Sequence, residues 1–239
     1  MSAPTVHVPI QTLWGRISRT LRYAFEMVAH PRRTTDRLLQ EPIGPALWLV
    51  LGYAVFMSAG FLLSHLARDY PPPPDVLATW TDAYGAFYIL PFVNIPAESY
   101  RLTLAIISTP LVLMVWMLMA ASARLLTIAF HGSATFDQYL SLFAFAFFPF
   151  WIAVSLADMI FSGPLDPLVL RALRAEYGPL AQQVAANFMP IAYTALFGLG
   201  GVYCGGVAAR ANGFSLLKSA VIGFSTFIWP MATGALLIR

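Results

Sequence analysis

The chain has 239 residues, 59% of them hydrophobic and only 10% charged, against about 25% charged in ordinary soluble domains, which argues against a water-soluble globule. Its net charge of +3 resides in the first 45 residues, where six arginines face Glu26, Asp36 and Glu41, while basic and acidic residues balance beyond. A pI near 9.2 therefore reflects a basic segment suited to anionic lipid, and no nucleic-acid groove is expected.

The first element in chain order is a helix between Ile10 and Ala29. At about 100° per residue, Ile10, Leu13, Trp14, Ile17, Leu21, Ala24, Phe25 and Val28 share one side. Arg16, Arg19, Arg22 and Glu26 share the other, and His30-Pro31 ends the pattern. An Arg-rich face opposite a Trp/Phe/Leu face describes a helix lying in a membrane interface, with Trp14, Phe25, Arg16, Arg19 and Arg22 as its surface residues. The apolar residues are periodic and no cleavage site follows, so the segment does not read as a signal peptide.

Roughly 20 apolar residues cross a bilayer as a helix, and five stretches qualify: 46–66, 102–123, 139–161, 188–209 and 216–238. Backbone groups in hydrocarbon must be satisfied within their own segment, so helices are expected. The expected architecture is an all-α integral membrane protein, with a basic surface segment over residues 1–45 and a five-helix domain over 46–239.

Basic residues in the flanks set the orientation. With the N-terminus in the cytoplasm, that side holds the six N-terminal arginines, Arg124, Arg210 and Lys218. Arg68, Arg101, Arg171, Arg174 and Arg239 lie on the other, with the C-terminus. Of the two outer connections, residues 68–101 open with Pro71-Pro72-Pro73-Pro74, a stiff arm. A short helix capped by Asp75 follows, its apolar part interfacial or re-entrant on Trp80, Tyr84, Phe87 and Tyr88. Residues 162–187 suggest a short surface helix after Pro167.

No reaction is written in the chain. His7, His30, His65 and His131 form no ligand pattern, and the lone Cys204 excludes an intrachain disulfide or a cysteine metal site, so neither a cofactor nor a metal is expected. Ser215-Leu-Leu-Lys218 matches a Ser-x-x-Lys pattern but lacks its companion motifs. Asp137 begins the third span, where a carboxylate suits a helix N-terminus. Asp158, near the outer end of that span, is a candidate for an ion or ligand path.

In the fourth span Gly201, Gly205 and Ala209 stack at four-residue spacing. Such a face admits a close helix neighbour; the alternative is a broken helix whose backbone binds substrate. Pro110, Pro149 and Pro230 interrupt three spans as kinks. The third, Leu140 to Trp151, carries aromatics all round, which suits lipid and helix contacts better than a pore wall.

From Arg124 through His131-Gly132-Ser133 to Phe136-Asp137-Gln138, followed by Leu142-Phe143-Ala144 and Pro149, the chain resembles the Yip family of multi-pass membrane proteins. The resemblance implies a turn at Gly132 and a helix capped by Ser133 or Thr135. It also implies an interfacial Phe136, a Gln138 in the first turn and a kink at Pro149. Gly213 to Ala220 is similar to the family's last span. The chain lacks the long polar N-terminal region and the Asp-Leu-x-Gly-Pro signature of eukaryotic members, so Rab binding is not carried over; it looks more like short bacterial members. Thirteen arginines to one lysine fit a GC-rich bacterial genome.

The expected function is that of a non-enzymatic organiser, accessory or interaction protein of the bacterial inner membrane. Its partners would be the bilayer, anionic lipid at the N-terminal helix, and a membrane protein or a second copy. The alternative is a small transporter or lipid-handling protein using the Gly-rich fourth helix.

Overall fold

The computed structural model describes residues 13–67, 97–161 and 194–237, and every regular element among them is a helix. These are α1 (Leu13–Ala29), α2 (Pro31–Leu38), α3 (Gly44–Ala67), α4 (Ala97–Ala129), α5 (Phe136–Phe161), α6 (helical residues 194–212) and α7 (Leu216–Leu237). The Pro71–Pro74 arm, the aromatic helix expected after Asp75 and the connection over 162–187 lie outside the described residues. So does the side chain of Asp158, although its backbone belongs to α5.

Among the described residues three helices are long and apolar enough to cross a bilayer, which marks a membrane protein: Gly44–Leu63, Leu102–Ala129 and Phe136–Leu156, with mean hydropathies of 2.0, 2.2 and 1.9. In α7 the apolar stretch Leu216–Ala232 is shorter.

At His30-Pro31, where the amphipathic pattern ends, the chain begins a second helix, α2. Pro31 stands in its first turn, where a missing N–H costs nothing. Thr34 and Thr35 turn their hydroxyls back onto the His30 and Pro31 carbonyls at 3.0 and 2.7 Å.

The centre of the bundle is α5, whose residues from Tyr139 through Phe148 are all buried. Of the lipid and helix contacts expected around this aromatic helix, those over Tyr139 to Phe148 are helix contacts. Tyr53 of α3 meets Phe148 edge-on at 5.5 Å, Tyr23 of α1 meets Phe145 at 5.7 Å, and Phe197 of α6 stacks on Phe147 at 5.8 Å. Without a hydrophobic drive between helices in lipid, this dispersion packing and buried polar links hold the bundle. Trp116 of α4 donates its indole N–H to the Leu140 carbonyl at 2.9 Å. Gly200 leaves room for the Phe147 ring, which a Cβ there would meet at 2.7 Å.

α6 and α7 approach to backbone distance. A Cβ on Gly201 would stand 2.9 Å from the Gly223 carbonyl oxygen, and one on Gly205 2.5 Å from that of Ser219. Ser219 donates its hydroxyl to the Gly205 carbonyl at 2.6 Å.

Candidate functional site

The connections α2–α3, α4–α5 and α6–α7 gather at one end of the bundle, beside α1 and α2. Among the described residues this end face carries most of the side-chain hydrogen bonds and holds Gly132, Ser133, Phe136 and Gln138, whereas Gly201 and Gly205 lie along the α6–α7 seam and Pro149 inside α5.

Two helix ends are locked together there. α4 closes with a Schellman motif, in which Gly132 N–H reaches the Thr127 carbonyl at 2.8 Å and His131 N–H reaches Ile128 at 3.1 Å. The left-handed residue is His131, with φ 60°, and not Gly132 as the turn reading implied. Gly132 is required for proximity instead: a Cβ would meet the Phe214 ring and, at 2.7 Å, both Asn212 Oδ1 and Thr127 Cγ2. α6 closes in the same way through Gly213, with φ 68°, and Phe214 N–H on the Ala209 carbonyl at 3.1 Å.

Asn212 joins the two ends. Its Oδ1 accepts from the Ser133 and Ala134 amides at 2.9 and 2.8 Å, and its Nδ2 donates to Tyr139 Oη and the Ala208 carbonyl, both at 2.9 Å. The Tyr139 hydroxyl also bonds Thr127. Arg124 donates to the Ala134 carbonyl at 2.7 Å, and Lys218 to that of Phe130 at 3.3 Å. Lys218 also stands 5.5 Å from the centres of the Phe130 and Phe214 rings, so structural contacts occupy the lysine of the Ser-x-x-Lys pattern.

α5 opens with a capping box. Thr135 N–H donates to Gln138 Oε1 at 2.9 Å, and Gln138 N–H to Thr135 Oγ1 at 3.4 Å. Thr135 is therefore the cap, not Ser133; Phe136 and Asp137 follow it in the first turn. Gln138 also reaches the Leu39 carbonyl at 3.3 Å, and Pro149 lies inside α5.

α1 has three faces. Thr20, Tyr23 and Met27 are buried against the bundle. Trp14, Leu21, Phe25 and Val28 remain exposed, Trp14 by 77% and Phe25 by 76%. Arg16 and Arg22 are exposed as well. Arg19 is occupied within the fold, gripping both Glu41 oxygens at 2.6 and 2.7 Å, while Tyr23 donates to Glu41 Oε1 at 2.7 Å. Arg37 binds Glu26 at 2.9 Å, and Arg210 of α6 binds both Asp36 oxygens at 2.9 and 2.8 Å. Between α1 and α2 lies a cleft of about 640 Å³ lined by Trp14, Ser18, Arg19, Arg22, Tyr23 and Arg37.

Electrostatics follow these pairs. Burial works to raise the Glu41 carboxyl, but the Tyr23 and Arg19 hydrogen bonds outweigh it and hold it below its ordinary value. Asp36 is likewise lowered by its bonds to Arg210. Burial, then the bond to Glu41, pushes the Tyr23 hydroxyl upward. Each guanidinium partner is pushed up by its carboxylate.

Among the described residues no three His, Cys, Asp or Glu side chains gather as metal ligands. No protein family, curated protein or solved structure matches the chain.

Proposed function

We propose that the chain is a non-enzymatic, five-span membrane protein resembling short bacterial Yip-type proteins, and that it organises or accompanies other components of the inner membrane. In this reading the end face lies in the cytoplasm, the C-terminus lies outside, and α1 is an amphipathic helix resting on the cytoplasmic leaflet. The observation that carries it is the three-way division of α1. One face docks on α3 and α5, a second leaves Trp14, Leu21 and Phe25 bare, and a third offers Arg16 and Arg22. An apolar flank beside a basic one matches the boundary between acyl chains and anionic headgroups. The aromatic filling around α5 favours this reading over transport along that helix.

Spin labels at Phe25→Cys and Arg22→Cys, in a Cys204→Ala background, test it on the full chain in vesicles containing phosphatidylglycerol. The label at 25 should be relaxed chiefly by oxygen and the label at 22 by a water-soluble nickel chelate. Equal chelate access at both positions would refute the placement of α1. Purification in mild detergent should retain a stoichiometric membrane-protein partner or a second copy, and a lone chain holding one small molecule would favour the lipid-handling alternative.

A further inference from the structure

Two clefts meet on the outward side of α6. One, of about 670 Å³, lies at the end face between α2 and α6, where Arg32, Thr35, Tyr203 and Arg210 line it. The other, of about 610 Å³, follows the α6–α7 seam, where Gly198, Leu216, Phe224 and Phe227 line it. Val202 and Gly206 line both, so the two adjoin.

The ends of this path differ in chemistry. At the end face two arginines stand against one carboxylate: Arg210 is paired with Asp36, and Arg32 makes no ion pair among the described residues. One positive charge is left over beside a cleft wide enough for a headgroup. Along the seam the walls are apolar. From Arg210 to Gly198 the path follows twelve residues of helix, about 18 Å at 1.5 Å per residue, close to half of a ~30 Å hydrocarbon core.

The glycines of α6 fall into two groups. Gly201 and Gly205 are required for the approach of α7 and carry no argument here. Gly198 and Gly206, in contrast, have no atom of a described residue within 4 Å of where a Cβ would stand. Packing among the described residues does not require them bare, and glycine within a helix costs about 1 kcal/mol relative to alanine. Side chains at these two positions would fill the cleft.

We propose that this cleft binds one anionic phospholipid of the leaflet beside α1 and α2, its phosphate at Arg32 and Arg210 and an acyl chain along the bare wall of α6. Guanidinium groups suit phosphate through paired N–H donors, and a zwitterionic headgroup would leave the extra charge unmatched. The site lies on α2, α6 and α7 and does not depend on where α1 rests.

Native mass spectrometry of the full chain, purified in mild detergent and offered equal phosphatidylglycerol and phosphatidylcholine, tests the proposal. Phosphatidylglycerol adducts should dominate by about fivefold, the ratio expected of one basic side chain near an anionic surface. Arg32→Glu should abolish the preference, and Gly206→Leu should reduce retention of both lipids. Gly198→Leu repeats the block from the other end of the groove should Gly206→Leu fail to fold. Equal binding of the two lipids by the unaltered chain overturns the proposal, as does a preference that survives Arg32→Glu. A preference lost in Arg22→Glu but kept in Arg32→Glu moves the headgroup to α1 and overturns it too. Undiminished retention in both leucine variants refutes the acyl path.

Discussion

Replacing Asn212 by alanine removes four hydrogen bonds at once, the two accepted from the Ser133 and Ala134 amides and the two donated to Tyr139 and Ala208. Ser133 is exposed and its amide can turn to water, whereas Ala134 is only 3% exposed and its amide is left without a partner. A typical hydrogen bond contributes about 1 kcal/mol net, and a buried group left unsatisfied costs about 1–3 kcal/mol. Asn212→Ala should therefore destabilise the chain by about 2–4 kcal/mol. Asn212→Asp keeps an acceptor for both amides and can accept from the Tyr139 hydroxyl, but it sets an oxygen against the Ala208 carbonyl, so its cost should be smaller than that of Asn212→Ala without vanishing. The single cysteine, Cys204, is 0% exposed, so a thiol-reactive dye reports opening of the bundle without added labels. Melting followed by that dye should rank the original chain above Asn212→Asp and both above Asn212→Ala. An Asn212→Ala variant that melts with the original chain would refute the idea that this side chain joins the two helix ends.

Gly205→Ala should lower the same melting temperature, since its Cβ would stand 2.5 Å from a backbone oxygen, whereas Gly52→Ala in α3 meets nothing within 4 Å and should be neutral or gain up to about 1 kcal/mol of helix propensity. Because Glu41 is held below its ordinary value of 4.5, its contribution to docking α1 is complete above that pH and is lost as pH falls through the lower folded value. A spin label at Arg22→Cys should gain mobility over that acid range, and Glu41→Gln should flatten the profile. His131→Gly should raise the melting temperature, because the φ of 60° costs an L-residue about 1–2 kcal/mol, and the dye assay reads this directly.

Sequence legibility varied with the range of the interaction. The 3.6-residue period over Ile10–Ala29 and the apolar runs at α3, α4 and α5 are local signals, and helices occupy those stretches, α4 extending beyond the expected 102–123 to Ala97–Ala129. Thr135-x-x-Gln138 could equally have been read as a capping box from its spacing. α2 is not legible from the period, because His30-Pro31 ends the pattern of α1, although proline is favoured in a first helical turn. Arg19 could not be separated from Arg16 and Arg22 by period alone, since its carboxylate lies 22 residues ahead, beyond a further helix. Asn212 beside Gly213 reads only as a turn signal, because its partners at 133 and 134 are 79 and 78 residues away.

The Arg19–Glu41 pair also constrains where α1 can lie in the proposed arrangement. An amphipathic helix with two faces satisfies either a protein or a bilayer, and α1 has to satisfy both. Its docking face carries Thr20, Tyr23 and, at its margin, a bidentate ion pair in which Arg19 remains 38% exposed. Charged side chains at bilayer depth are costly, so that face cannot slide along α3 toward the middle of the membrane without dehydrating the pair. The apolar flank, in contrast, cannot stay in water without leaving Trp14 and Phe25 bare. Both demands are met at one depth, with Trp14 and Phe25 just inside the acyl boundary and the Glu41 carboxylate at headgroup level. The helix is then fixed in height by its two unlike contacts. Arg16 and Arg22, which make no ion pair among the described residues, are left to meet the anionic surface.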